Sequence, residues 1–270
     1  TMKKLSHAVV TGAGTGIGAA ITHSLVNHNI PVTLMGRRKD VLERAADKLG
    51  KPDLVQTIVC DVGSEKSVQE AFSLAADNKG FGLVDVLVNN AGVLSVGPMH
   101  DIGDDELQRL LATNLLAPMA LTRDLLNLLR ASKAPRIVNV GSVFGDIGHP
   151  MFAAYSASKF GLRGFSDAMR RELMAEGIAV TYVAPRATQT EASHQFDHFL
   201  ETFSMTVDSA EVAATQILRA IRQDARNSYP RGPEKFFVML QRIAPTLIDQ
   251  ALGRKVPTPP SSAERARQES

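Results

Sequence analysis

Six short runs of β-branched and aliphatic residues, separated by longer stretches of helical periodicity, constrain this chain more than any other feature. They span residues 7–10, 32–35, 55–60, 84–88, 136–140 and 179–183. Each run is apolar at consecutive positions, so both faces of the strand need cover. Strands of that kind belong in a parallel sheet with helices on either side, and the intervening stretches are long enough for crossover helices. The pattern predicts an α/β fold with a doubly wound, Rossmann-like parallel sheet.

Residues 5–225 contain no Gly/Ser linker and no internal repeat, which favours one domain over two. That domain is expected to span residues 5–255, with residues 226–255 as a C-terminal helical extension and residues 256–270 as a polar, disordered tail. The hydrophobic share of 44% and charged share of 21% are those of a globular chain and exclude a collagen-like or largely disordered one. Thirty Lys and Arg against 28 Asp and Glu leave +2, too near zero for the footprint of a nucleic-acid binder. Cys60 stands alone, so neither an intramolecular disulfide nor a thiolate metal site is available. No run reaches the roughly eighteen apolar residues of a membrane span, and the start lacks a signal pattern. A cytoplasmic protein without a transmembrane segment is expected.

The first strand runs into Thr11-Gly12-Ala13-Gly14-Thr15-Gly16-Ile17-Gly18, and helix formers follow. Glycines let backbone N–H groups approach a pyrophosphate closely, and the helix that follows presents its positive dipole end. Four further groups fall in order at the C-terminal ends of strands or on adjoining helices. Asn89-Asn90-Ala91-Gly92 closes the fourth strand, Asn114 lies in the next helix, Ser142 follows the fifth strand, and Tyr155-Ser156-Ala157-Ser158-Lys159 opens a helical pattern. Tyr155 and Lys159 are four apart and share a helix face. An ammonium there favours the phenolate, lowering a pKa of about 10 towards neutrality, so Tyr155 is expected to serve as acid and base. Ser142 is suited to hold a substrate oxygen. The plain alternative, a helix pair and a helix cap, leaves the five-fold coincidence unexplained.

These five groups, over about residues 5–190, resemble the short-chain dehydrogenase/reductase family. The resemblance implies a catalytic set of Asn114, Ser142, Tyr155 and Lys159. Lys159 would also reach the nicotinamide ribose, and Asn114 would help hold a water chain for proton exchange. Cofactor contacts are expected from Gly12, Thr15, Gly16, Ile17 and Gly18, from Asn90, Ala91 and Gly92, and from Tyr155, Lys159, Pro185 and Thr188. Asp61 and Val62 resemble the pair that flanks the adenine ring, although Asp61 also fits a helix cap for residues 64–78. The family implies a homodimer or homotetramer.

The second strand ends in Met35-Gly36-Arg37-Arg38, where an NAD-preferring member carries an acid for the ribose hydroxyls. A guanidinium there suits a 2′-phosphate, which predicts NADP(H), unless Arg37 and Arg38 are solvated charges opening the next helix. After the sixth strand the family shows Pro-Gly and then Thr, whereas this chain has Pro185-Arg186-Ala187-Thr188-Gln189-Thr190. Arg186 would place a cation at the mouth of the site, and Thr188 and Thr190 both qualify for the nicotinamide contact. His149 either lines the substrate entrance or has no role. His194 and His198, with Glu191, have helical metal spacing but no third ligand, so no metal is expected.

Residues 226–255 carry six basic side chains and two acids, +4 against −2 for residues 1–225. Phe237, Leu240, Ala244, Leu247, Ile248 and Ala251 recur at helical spacing, with Pro245 starting a second half. This stripe either completes the core or a subunit contact, roofs a cleft for a lipophilic substrate, or touches an anionic membrane surface. Taken together, the sequence predicts hydride transfer between NADP(H) and a carbonyl or secondary alcohol, probed against two alternatives: an NAD-dependent alcohol dehydrogenase and a non-catalytic nucleotide sensor.

Overall fold

The computed structural model describes residues 5–77, 83–188, 205–254 and 256. Its seven-stranded parallel sheet comprises β1 (Ala8–Thr11), β2 (Val32–Gly36), β3 (Val55–Val59), β4 (Val86–Asn89), β5 (Arg136–Val140), β6 (Ala179–Val183) and, beyond a small parallel pair, β9 (Asn227–Ser228). The pair is β7 (Ala187–Thr188) with β8 (Val207–Asp208). The order is β3-β2-β1-β4-β5-β6-β9, so the winding reverses between β1 and β4 and opens a crevice at the carboxyl ends of the strands.

Successive residues of each central strand feed opposite layers. Ala8 and Val10, Val86 and Val88, and Val138 pack with Ile21 and Leu25 of helix α1 (Gly16–Asn27) and Ile217 of α7 (Ala210–Arg222). Val9, Leu87 and Ile137 pack instead with Leu121 and Leu125 of α5 (Ala117–Arg130). This is why consecutive apolar residues are required, and truncating a fully buried one such as Leu87 to Ala is expected to cost about 2–5 kcal/mol. Helices α2 (Lys39–Leu49), α3 (Glu65–Asp77), α4 (Asp104–Leu111) and α6 (Ala153–Glu172) complete the crossovers. A π-helical turn, Ala112–Leu116, joins α4 to α5.

The expected doubly wound sheet and single domain are present, with three differences in detail, the first being the small β7–β8 pair, which the six expected strands did not include. Strand β9, two polar residues long, carries too little apolar pattern to be read from sequence. Strand β3 is an edge, and its Thr57 and Val59 are exposed, so it is not covered on both faces.

The extension forms α8 (Glu234–Ile243) and α9 (Pro245–Gly253), with Pro245 at the start of the second as expected. The buried face differs from the expected stripe. Val238 and Ile248 are buried, with Leu240 and Leu252 beside them, against Ile147 and Val143, whereas Phe237 and Leu247 are 42% and 54% exposed. Two polar contacts explain the rotation of α8. Glu234 near its start pairs with Arg186, and Arg242 near its end reaches back from the surface to the buried Asp146 Oδ1 at 3.2 Å, while Phe236, Phe237, Met239 and Ile243 face out.

Candidate active site

The glycine turn lies flat against the end of β4. A Cβ on Gly12 would stand 2.9 Å from Ala91 Cα, and one on Gly18 would collide with the Gly12 carbonyl, so neither position admits a side chain. Gly12 and Gly16 also have φ of 63° and 52°, in the left-handed region that glycine enters at no steric cost. Asn90 locks the turn from β4: its Nδ2 donates to Thr11 O at 2.9 Å, while Thr11 Oγ1 accepts the N–H groups of Asn90 and Ala91 at 3.0 and 2.9 Å. Thr15 stands at the N-cap of α1 without using its hydroxyl to cap, and no acid occupies the first turn. That helix end is therefore an open electropositive cradle suited to a pyrophosphate.

A cleft of about 310 Å³ runs from this cradle past Gly36, Arg37 and Arg38 on one side and Asp61 and Val62 on the other. Ile17, Ala91 and Gly92 also line it. Arg37 and Arg38 are exposed, and among the described residues neither guanidinium holds a hydrogen bond or ion pair. Two unengaged cations at the end of β2, together with the glycine cradle, fit a phosphorylated dinucleotide. Asp61 is not the cap of α3: its Oδ1 accepts the Gly63 N–H at 3.0 Å, while Ser64 Oγ accepts from Ser67 N. Sequence reasoning missed Val41 and Thr113, which also line the cleft. Thr113, next to Asn114, is turned into it by the π-helical turn, which has no sequence signature.

At the other end of the crevice stand Ser142, Tyr155 and Lys159. Ser142 follows β5 and accepts the Phe144 N–H at 3.2 Å, so it caps a short 3-10 turn as well as facing Tyr155. Lys159 is buried one helical turn behind Tyr155 on α6, its Nζ 5.6 Å from the phenol ring centroid and donating to Val140 O at 3.1 Å. Burial pushes the Tyr155 phenol up to about 12, with the Ser142 hydrogen bond pulling the other way. Burial also lowers Lys159 to about 8. The expected fall of the Tyr155 pKa towards neutrality is therefore not what the structure shows. The ammonium lies over the ring, 5.6 Å from its centroid, and desolvation prevails. Tyr155 is held as a protonated acid.

Asn114 is fully buried and works as a brace. Its Nδ2 donates to Val93 O at 2.8 Å and Ser158 Oγ at 3.2 Å, and its Oδ1 accepts the Val93 N–H at 2.8 Å. Gly92 separates it from the lysine: a Cβ there would lie 3.4 Å from Asn114 Oδ1 and 3.7 Å from Lys159 Nζ. His149 is buried, stacked on Phe144 with ring centroids 4.7 Å apart, and Phe144 in turn meets the Tyr155 ring edge-on at 6.4 Å. An aromatic wall thus flanks the phenol.

Arg186 does not put a free cation at the mouth. Its guanidinium pairs with Glu234, meets Asp208 Oδ1 at 3.2 Å and donates to Arg231 O at 2.8 Å. Pro185 is buried beside it, and Thr188 Oγ1 donates to Arg186 O at 3.1 Å. Thr190, Glu191, His194, His198 and the tail beyond residue 256 lie outside the described residues. Among the described residues no cluster of three metal-ligating side chains occurs, and no helix is long and apolar enough to cross a membrane.

A Rossmann-like sheet with a glycine cradle at its switch point and a Ser–Tyr–Lys cluster at the carboxyl ends of the strands defines a nucleotide-binding oxidoreductase. A family model described as short chain dehydrogenase matches residues 6–200, and the chain belongs to the short-chain dehydrogenase/reductase family. It is 35% identical over 185 residues to the 3-oxoacyl-(acyl-carrier-protein) reductase FabG of Salmonella typhimurium, covering 68% of this chain and 74% of that protein. A short-chain dehydrogenase from Sphingobium yanoikuyae in complex with NADPH shares the fold, with a TM-score of 0.76, 22% identity, and 96% and 99% of the two chains covered. A variant of actinorhodin polyketide ketoreductase with NADPH gives a TM-score of 0.74 at 27% identity, covering 85% of this chain and 97% of that one.

Proposed function

We propose that this protein is an NADP(H)-dependent carbonyl reductase acting on a lipophilic ketone or aldehyde, or running the reverse oxidation of a secondary alcohol. The carrying observation is the cluster of Ser142, Tyr155 and Lys159, set behind Gly92 beside a cleft that carries two unengaged guanidiniums. When bound, NADPH would supply the hydride for the carbonyl carbon. Gly12, Thr15, Gly16, Ile17 and Gly18 would hold its pyrophosphate, Arg37 and Arg38 its 2′-phosphate, and Asp61 and Val62 its adenine, and Asn90, Ala91, Gly92, Pro185 and Thr188 would bound its nicotinamide half.

Ser142 and Tyr155 donate hydrogen bonds to the substrate oxygen, so both donors already aim at the charge that develops there. Tyr155 gives its proton to that oxygen as the carbon is reduced, leaving a phenolate that a proton from the Lys159 side restores. Asn114, braced by Val93 and Ser158, is assigned the water-chain role on the family resemblance alone. Half-buried Phe144, edge-on to the Tyr155 ring and backed by the buried Phe152 and His149, supports a lipophilic substrate. Exposed Leu116, Met119 and Phe160 support a homodimer or homotetramer, and the lone buried Cys60 is compatible with a cytoplasmic setting.

The test is NADPH oxidation, followed by absorbance, with a panel of aliphatic, aromatic and long-chain ketones and aldehydes. Turnover that is faster with NADPH than with NADH is expected. Faster turnover with NADH would favour the NAD-dependent alternative, and no oxidation with any substrate, despite tight NADPH binding, would favour the sensor.

A further inference from the structure

Behind the catalytic loop lies a tyrosine that the reaction does not touch. Tyr182, the next-to-last residue of β6, is fully buried, and its hydroxyl grips one residue twice: it donates to Ser142 O at 2.8 Å and accepts the Ser142 N–H at 3.2 Å. The space for this side chain is made by two glycines. A Cβ on Gly141 would collide with the ring, and one on Gly145 with the hydroxyl. A buried phenol needs partners, and here both are the backbone of Ser142.

The ring is itself fixed from behind. The Arg163 guanidinium lies over it, 4.9 Å from the centroid, and Arg163 Nη1 donates to Tyr229 OH at 2.7 Å and lies 3.4 Å from Asp146 Oδ2. Tyr229 OH donates to the same Asp146 oxygen at 2.9 Å. Asp146 sits at the end of the 3-10 turn that Ser142 begins, so both ends of residues 142–146 are held by one buried network. Burial keeps the Tyr182 phenol protonated, which preserves its donor.

We propose that Tyr182 is a positioning residue for Ser142, fixing the backbone from which the Ser142 hydroxyl reaches the substrate oxygen, with Arg163 and Asp146 as its support. The inference rests on the proposed reductase reading for its kinetic consequence, and on geometry alone for the clasp. Catalytic donors held to within a few tenths of an ångström act without reorganisation, so losing the clasp lowers turnover rather than cofactor binding.

Tyr182→Phe keeps the ring that fills the space between Gly141 and Gly145 and removes only the hydroxyl. In the intact protein, kcat for carbonyl reduction is expected to fall about tenfold with NADPH affinity unchanged. The same substitution in a Ser142→Ala background is expected to cost almost nothing further, because the hydroxyl it positions is gone. Equal losses in both backgrounds would overturn the proposal in favour of a general structural role. Site-resolved hydrogen exchange of the Ser142 amide, measured without substrate or cofactor, gives a second readout: exchange at least about tenfold faster in Tyr182→Phe supports the clasp, and unchanged exchange overturns it. A wild-type protein that oxidises no NADPH with any carbonyl would remove the reductase reading, while the exchange experiment still decides the clasp. Thermal melting of each variant separates a local effect from unfolding.

Discussion

Lys159 Nζ lies 5.6 Å from the Tyr155 ring centroid and donates to the Val140 carbonyl at 3.1 Å, so the lysine is tied to the end of β5 as well as to the phenol. The four-residue spacing brings the two together, but the tether sets the lysine over the ring face. A cation in that place stabilises phenol and phenolate less unequally than one at the hydroxyl, and burial decides the protonation state. Deleting the hydroxyl with Tyr155→Phe is expected to lower turnover about a hundredfold or more, with NADPH binding almost unchanged. A variant keeping most of its turnover would remove Tyr155 from the mechanism.

The same pair sets the pH dependence of reduction. Lys159, lowered to about 8 by burial, is charged at neutral pH and loses its proton first, whereas Tyr155 at about 12 stays protonated. Reduction is expected to be steady below pH 8 and to decline above it. A rate that holds level to pH 10 would show that the lysine charge plays no part.

Arg37→Ala tests the cofactor. Its guanidinium is exposed at the end of β2 and holds no partner among the described residues, so its removal leaves the fold intact. NADPH affinity is expected to fall about tenfold to a hundredfold, as for loss of a charge-assisted contact, and NADH affinity to stay level. Titration of both cofactors checks this, and equal losses would count against a 2′-phosphate at Arg37.

Arg186 anchors the C-terminal helices. Arg186→Gly leaves Glu234 and Asp208, each about 15% exposed, without their partner, and stability is expected to fall by about 3 kcal/mol. Arg186 also depresses the Glu234 carboxyl, so the pair's contribution is present above the ordinary carboxylate range and is lost as pH falls through the depressed pKa. Thermal melts and limited proteolysis near residues 231–233 provide the check. An unchanged melting temperature and cleavage pattern would make Arg186 incidental.

His7 gives an acid-side signature. Buried just before β1, it has Nε2 2.8 Å from Thr33 Oγ1 and Nδ1 3.0 Å from Leu83 O, and burial lowers its pKa to about 4. The unfolded chain takes up this proton near pH 6.5 and the folded chain only near pH 4, so the imidazole's contribution is intact above 6.5 and is lost as pH falls between those values. Its loss amounts to about 3 kcal/mol at most. Urea melts of wild type and His7→Gln across pH 4–7 are expected to show a steeper decline for wild type. Parallel curves would dismiss the effect.

The order and type of the central strands, the glycine turn, the Ser142–Tyr155–Lys159 set and the absence of an acid at Arg37 were all determined by the sequence, because each depends on local periodicity or on residues fixed to the ends of adjacent elements. Tertiary structure alone decided the rest. The Tyr155 pKa depends on desolvation by neighbours remote in the chain, and spacing on one helix does not reveal that environment. The face of α8 turned inward also carries the contacts of Glu234 with Arg186 and of Arg242 with Asp146, so helical periodicity placed Leu240 and Ile248 correctly but not Phe237 and Leu247. Tyr182 and Ser142 are 40 residues apart and meet only because β5 and β6 pair side by side, with Gly141 and Gly145 clearing the space between them. A side chain's chemistry is written in the chain, but the dielectric around it and the partners it meets are set by the packing.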